Sequence, residues 1–194
     1  MTTFITPTDW KSATWWQNRS VEERLFHARF PKRYGDTDSG LNPEVQRWAA
    51  GYQPGDSLLL YGASGVGKTT TAVTALTTLI NKQQVSGRFV SADTYIEMLK
   101  DQFGGSDNLL PEMYSTPYLV KYIQGVFDVV IVDGLGQERE TEFAIHEIGS
   151  LLRRRFDDMR STVITTTLSP MNLIRRYGER VSGVVNAMTV VRVA

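Results

Sequence analysis

Eight consecutive residues, Gly62-Ala63-Ser64-Gly65-Val66-Gly67-Lys68-Thr69, carry the residue types and spacing needed to hold a polyphosphate. They match the pattern G-x-x-x-x-G-K-[ST], in which glycines allow the backbone to turn tightly and aim several N–H groups at one point. The apolar run Ser57–Tyr61 precedes them. After them Thr70 to Asn81 places Val73, Leu76, Leu79 and Ile80 at helical spacing without a proline. A strand that turns through glycines into a helix also directs the positive end of that helix at the same point. Lys68 is placed to reach the outer phosphates, and the Thr69 hydroxyl to hold Mg²⁺. The candidate binding set is therefore Gly62, Ala63, Ser64, Gly65, Val66, Gly67, Lys68, Thr69 and Thr70.

A second stretch, Phe127-Asp128-Val129-Val130-Ile131-Val132-Asp133, is a buried strand that ends in a carboxylate. Downstream of a phosphate loop this is the Walker B arrangement. It sets Asp133 at the C-terminal edge of the sheet, where together with Thr69 it holds the metal and its water shell.

These groups need a sheet to position them. Strands are expected at 57–61, 88–92, 128–132, 162–166 and 188–193, alternating with helices. That alternation predicts an α/β fold with a five-stranded parallel sheet covered by helices on both faces. Helix starts are marked by Asn42-Pro43, Thr116-Pro117 and Ser169-Pro170, each a capping residue followed by a first-turn proline. Ser20-Val21-Glu22-Glu23 is a capping box that opens a short helix through Ala28, before Pro31. Residues 1–35 read as an arm bearing Trp10, Trp15 and Trp16, either a cluster packed on the domain or a docking surface. Residues 36–194 read as the nucleotide-binding domain. The loop from Phe103 to Glu112 reads as exposed and mobile.

The chain of 194 residues suffices for one such domain and a short appendage. Its 21 basic and 21 acidic residues balance, so a nucleic-acid surface requires local clustering. The absence of cysteine excludes disulfides and thiol chemistry and fits a cytoplasmic location. No stretch approaches the length of a membrane span, and the N-terminus has no targeting pattern.

The run Phe30-Pro31-Lys32-Arg33-Tyr34-Gly35-Asp36, the phosphate loop, residues 132–142, Thr165-Thr166-Thr167-Leu168-Ser169-Pro170 and Tyr177-Gly178-Glu179-Arg180 appear in this order. Together they resemble the AAA+ ATPases of the DnaC-type helicase loaders and IstB-type transposition helpers, over residues 28–190. The resemblance implies a P-loop NTPase of AAA+ type without a C-terminal helical lid, binding ATP and Mg²⁺. It also implies a replicative helicase and single-stranded DNA as partners, and self-assembly into a ring or spiral. It assigns the Walker B acid to Asp133, the sensor position at the tip of the fourth strand to Thr167, and a segment facing the next subunit's nucleotide to Arg180. With Lys68, these form the candidate catalytic set.

Three positions depart from the family pattern. Gly134 stands where a second acid usually follows Asp133, Thr167 where the sensor strand usually ends in asparagine, and Val184 where a further arginine is usual. The second acid orients and deprotonates the attacking water, and an arginine finger contributes roughly 10³–10⁵ in rate. The expectation is tight Mg-ATP binding with slow turnover in a loader-like factor for DNA replication. A working ATPase that recruits Glu138 or Glu140 and Arg180 is the other reading. The remaining alternatives are an IstB-like helper, a catalytically degenerate decoy of an AAA+ ring, and a small P-loop kinase with Asp93 near its substrate.

Arg153-Arg154-Arg155 lies on a helix from Thr141 to Asp158 and fans over about 200°. It reads either as a solvated face paired with Asp157, Asp158 and Glu147, or as a phosphate-tracking stripe with Arg175 and Arg176. His27 and His146 stand alone, without metal-ligand spacing.

Overall fold

The structure, a computed structural model, describes residues 18–34, 41–103 and 116–194. The three tryptophans of the expected arm lie outside these residues, as do Gly35, Asp36 and the loop from 104 to 112. Five strands, β1 (Leu58–Tyr61), β2 (Gly87–Ser91), β3 (Val129–Leu135), β4 (Ser161–Thr166) and β5 (Thr189–Arg192), form one sheet in the order β2-β3-β4-β1-β5. Every pairing is parallel. β4 therefore lies between the strand that feeds the phosphate loop and the strand that carries Asp133.

The described helices are α1 (Val21–Ala28), α2 (Pro43–Gly51), α3 (Lys68–Gln83), α4 (Ala92–Phe103), α5 (Thr116–Gly125), α6 (Glu142–Asp157), α7 (Pro170–Tyr177) and α8 (Ser182–Ala187). Their starts follow the local chemistry. The Ser20 and Glu23 side chains cap each other's backbone N–H groups at α1. Asn42, Thr141 and Ser169 accept from the first turns of α2, α6 and α7.

Central strands with continuous apolar runs are buried on both faces, because successive side chains alternate across the sheet. Leu58, Leu60, Val129, Ile131 and Val163 face α1, α2 and α3, where they meet Ala28, Trp48, Leu76 and Ile80. Leu59, Val130, Val132 and Ile164 face the other helices, meeting Ile96, Ile123, Ile148, Leu173 and Val184. Val184 is thus a core residue. α1 is packed on the sheet: Ala28 is fully buried, and Arg88 Nη1 on β2 donates to the His27 carbonyl at 3.2 Å. The segment from 18 to 34, expected as part of an arm, is joined to the core by Leu25, Phe30 and Tyr34.

The alternation breaks once. Val132 pairs with Ile164, but the next pair on β3 and β4 is Leu135 with Thr166, so Asp133 and Gly134 together oppose Thr165. This is a bulge with Gly134 in left-handed backbone, φ +72°. One inserted residue reverses the facing of everything beyond it. Leu135 consequently joins the same apolar cluster as Val130 and Val132, and Asp133 keeps to the α3 side.

The three arginines of α6 part company. Arg153 and Arg154 sit on the surface with Asp157 and Asp158, at 2.8 and 3.9 Å. Arg155 is fully buried, which the sequence reading did not foresee. Its guanidinium donates to the carbonyls of Ile123 (2.7 Å), Phe127 (3.0 Å), Asp128 (3.3 Å) and Ser161 (2.7 Å), and to Thr162 Oγ1 (3.1 Å). Burial pulls its pKa down to about 9, which leaves it protonated at neutral pH. It ties the ends of α5, α6, β3 and β4 together. Among the described residues no helix is long and apolar enough to cross a membrane.

Replacing Arg155 by methionine keeps the apolar stem and leaves these buried carbonyls unpaired. We expect a loss of about 3–5 kcal/mol in urea denaturation, the range for breaking a buried charged network, and a far smaller change for Arg154→Ala.

Candidate nucleotide-binding site

β1 ends at Tyr61, and the chain then turns through three glycines with positive φ, Gly62 (+153°), Gly65 (+81°) and Gly67 (+92°), into α3. At Gly62 the requirement is spatial as well: a Cβ would stand 2.1 Å from the Val193 carbonyl oxygen beyond β5. α3 begins at Gly67 without a side-chain cap. Its first N–H groups therefore remain directed into the cleft, where the helix dipole favours negative charge. Farther along, Thr71, Thr74 and Thr78 each donate a hydroxyl to the carbonyl four residues back, which satisfies them within the helix.

The cleft above this turn encloses about 400 Å³. Ser64, Gly65, Gly67, Lys68, Thr69 and Thr70 line it from the predicted binding set. Gly62, Ala63 and Val66 do not. The carbonyls of Gly62 and Ala63 accept from Lys68 Nζ, the first at 2.9 Å, and Val66 leans on the apolar core. Burial lowers the Lys68 pKa, and the nearby Asp133 charge opposes that shift.

Asp133 reaches the opposite wall from the bulge on β3. Its Oδ1 accepts from Thr69 Oγ1 at 2.7 Å and from Thr165 Oγ1 at 2.6 Å. Thr165 in turn accepts from the Gly134 N–H at 2.9 Å, the group that the bulge removes from the β-ladder. Oδ2 takes no hydrogen bond among the described residues. A hydroxyl and a carboxylate converging on a polar cleft are hard oxygen donors, and this donor set fits Mg²⁺ held largely through water.

Thr167 is exposed one residue beyond β4, outside the cleft lining, and Thr165 is the threonine that touches Asp133. The two share a strand parity, but only Thr165 still lies within the pairing that orients it. Arg180 is also outside the cleft. It is exposed beside Arg153, Arg154 and Gly149 on the α6 surface. Arg33, Tyr34 and Gln137 line the cleft as well, though the sequence reading gave them no role. For Arg33 and Tyr34 the signal was their place in the family-like run that ends at Asp36.

Glu138, one of the two acids considered as a substitute base, is 3% exposed. Its Oε1 accepts from Tyr177 Oη (2.6 Å) and Arg176 Nη2 (3.0 Å), and its Oε2 from the Gly136 N–H (2.8 Å). Burial, then the Glu138 carboxylate, push the Tyr177 pKa up. Glu140 pairs with Arg176 Nη1 at 2.9 Å. Both acids are engaged with α7. His146 sits beside Glu147, and no cluster of three or more His, Asp or Glu suited to holding a metal occurs among the described residues.

The parallel order, the phosphate loop after β1 and the acid on β3 are those of a phosphate-loop α/β fold. Comparison with solved structures agrees. The DnaC helicase loader superposes with a TM-score of 0.69 over 84% of this chain and 100% of its own, at 23% identity. DnaI gives a TM-score of 0.60 over 89% and 94%, at 20% identity. A replication initiator DnaA bound to AMPPCP and single-stranded DNA gives 0.63 over 85% and 51%, at 16% identity. No protein-family model and no curated sequence matches the chain.

Substituting Thr165 by valine keeps its volume and removes the hydroxyl that orients Asp133. Calorimetry should show magnesium-dependent ATP affinity weakened by about 10-fold, the lower end for loss of a group that orients a metal ligand, with magnesium-free binding little changed.

Proposed function

We propose that this protein binds Mg-ATP and serves as a loader-like factor for a replicative helicase during DNA replication, turning ATP over slowly. The observation that carries the nucleotide part is the convergence of Lys68, Thr69 and Asp133 on one cleft at the start of α3. The uncapped helix start and Lys68 would hold the phosphates, and Thr69 and Asp133 would hold the metal, which would supply charge neutralisation at the phosphates. The role in replication is supported by fold likeness to a helicase loader and to a replication initiator bound to a nucleotide analogue and single-stranded DNA.

Slow turnover follows from what faces the cleft. Asp133 is the only carboxylate among the described residues that line it. Gly134 has no side chain, and its φ of +72° strains any L residue placed there by about 1–2 kcal/mol. Glu138 is held by Arg176 and Tyr177. Arg180, exposed on the α6 surface, lies outside this cleft and supplies no charge to the chain's own nucleotide.

ATP hydrolysis measured with and without single-stranded DNA should fall below about 0.1 s⁻¹, some hundredfold under a typical enzyme, and vanish in Lys68→Ala. Lys68-dependent turnover of several per second would overturn the slow-turnover reading. In parallel, the protein should co-elute with a hexameric replicative helicase in Mg-ATP and lose that association in Lys68→Ala. Filaments on duplex DNA without helicase binding would instead favour the transposition-helper reading.

A further inference from the structure

We propose that Gln137 positions the water that attacks the γ-phosphate, taking the place of the acid absent at residue 134; this rests on the ATP-binding reading above. A Cβ built on Gly134 would stand 3.2 Å from Gln137 Oε1 and 3.5 Å from its Cδ. The carboxamide therefore lies over the space into which a side chain at 134 would project. It lines the cleft with Lys68, Thr69 and Asp133.

The hydroxyls on that wall and one oxygen of Asp133 are committed. Asp133 Oδ1 takes two hydroxyls, Thr165 bridges Asp133 and the Gly134 N–H, and Thr166 donates to the Leu135 carbonyl while accepting from the Leu168 N–H. Gln137 makes no side-chain hydrogen bond among the described residues. It offers the cleft both an acceptor and a donor.

The backbone beneath it is fixed from both sides. The Gln137 N–H donates to the Gly134 carbonyl at 3.0 Å, closing a turn directly on the bulge. The next residue is Glu138, clamped to α7, and the preceding Gly136 (φ +91°) packs so closely that a Cβ would meet Leu168 Cδ1 at 2.6 Å. An exposed side chain on an anchored turn is suited to orientation.

The chemistry this permits is limited. Gln137 Oε1 accepts a hydrogen bond from water, whose oxygen bonds to the γ-phosphorus as the bond to the β,γ-bridging oxygen breaks. The electron pair of that bond leaves on the bridging oxygen of ADP. The water proton passes to a γ-phosphate oxygen, because a carboxamide does not take it up. Water is thus held without a base, and hydrolysis is slow but real.

The test is single-turnover hydrolysis of Mg-ATP by the full chain, read beside calorimetric ATP affinity. Gln137→Ala should slow the step by about tenfold or more with affinity within about twofold of the parent. Gln137→Glu, of equal size, should restore or raise the rate and introduce a limb that climbs with pH as the new carboxylate ionises, absent from the parent and from Gln137→Ala. An unchanged rate in Gln137→Ala with ATP still bound overturns the proposal, as does a parent rate no faster than Lys68→Ala. Failure of the parent chain to bind ATP at all overturns the nucleotide reading itself, and calorimetry separates the two cases.

Discussion

The site depends on a single irregularity in an otherwise regular sheet, the bulge at Asp133 and Gly134. A strand buried on both faces must alternate strictly, and without the extra residue Leu135 would leave the apolar cluster that Val130 and Val132 enter. The bulge lets Asp133 stay on the α3 side, where Thr69 and Thr165 grip one of its oxygens, while the chain beyond returns to the core. Its unpaired N–H is satisfied by the same Thr165 hydroxyl. The orientation of Asp133 and the integrity of the sheet are thus served by one side chain on β4.

That arrangement requires β4 to lie between β1 and β3 at a fixed height. Two things hold it there. The parallel register carries Leu60 against Thr165 and Val132 against Ile164, and buried Arg155 collects the carbonyls at the N-terminal ends of β3 and β4. Arg155 is a charge without a counter-charge in direct contact, compensated by five acceptors. Such a group stabilises one arrangement of strand ends strongly because other arrangements leave both charge and carbonyls unsatisfied.

Beyond the bulge, residues 134–140 connect the cleft to α7. Glu138 and Glu140 are bound by Arg176 and Tyr177, immediately before the Gly178-Glu179-Arg180 turn that reaches the surface. The acids that sequence proximity offers as catalytic groups act as anchors, and the residue between the anchors and the bulge is the one presented to the cleft.

The chain by itself determined the phosphate loop, the helix starts and the five strands, each to within one to three residues at its ends. Those features are written by interactions among residues a few positions apart: glycine turns, capping side chains, runs of apolar residues. Asp133 as a strand-end acid was legible for the same reason. The interposition of β4, the bulge, the hydrogen bond of Thr165 to Asp133, the burial of Arg155 beside two exposed arginines, and the placement of Gln137 over Gly134 were decided only in three dimensions. Each depends on register between strands or facing between elements distant in the chain. A one-residue shift there reverses which side chains meet, while the local pattern of the sequence stays the same.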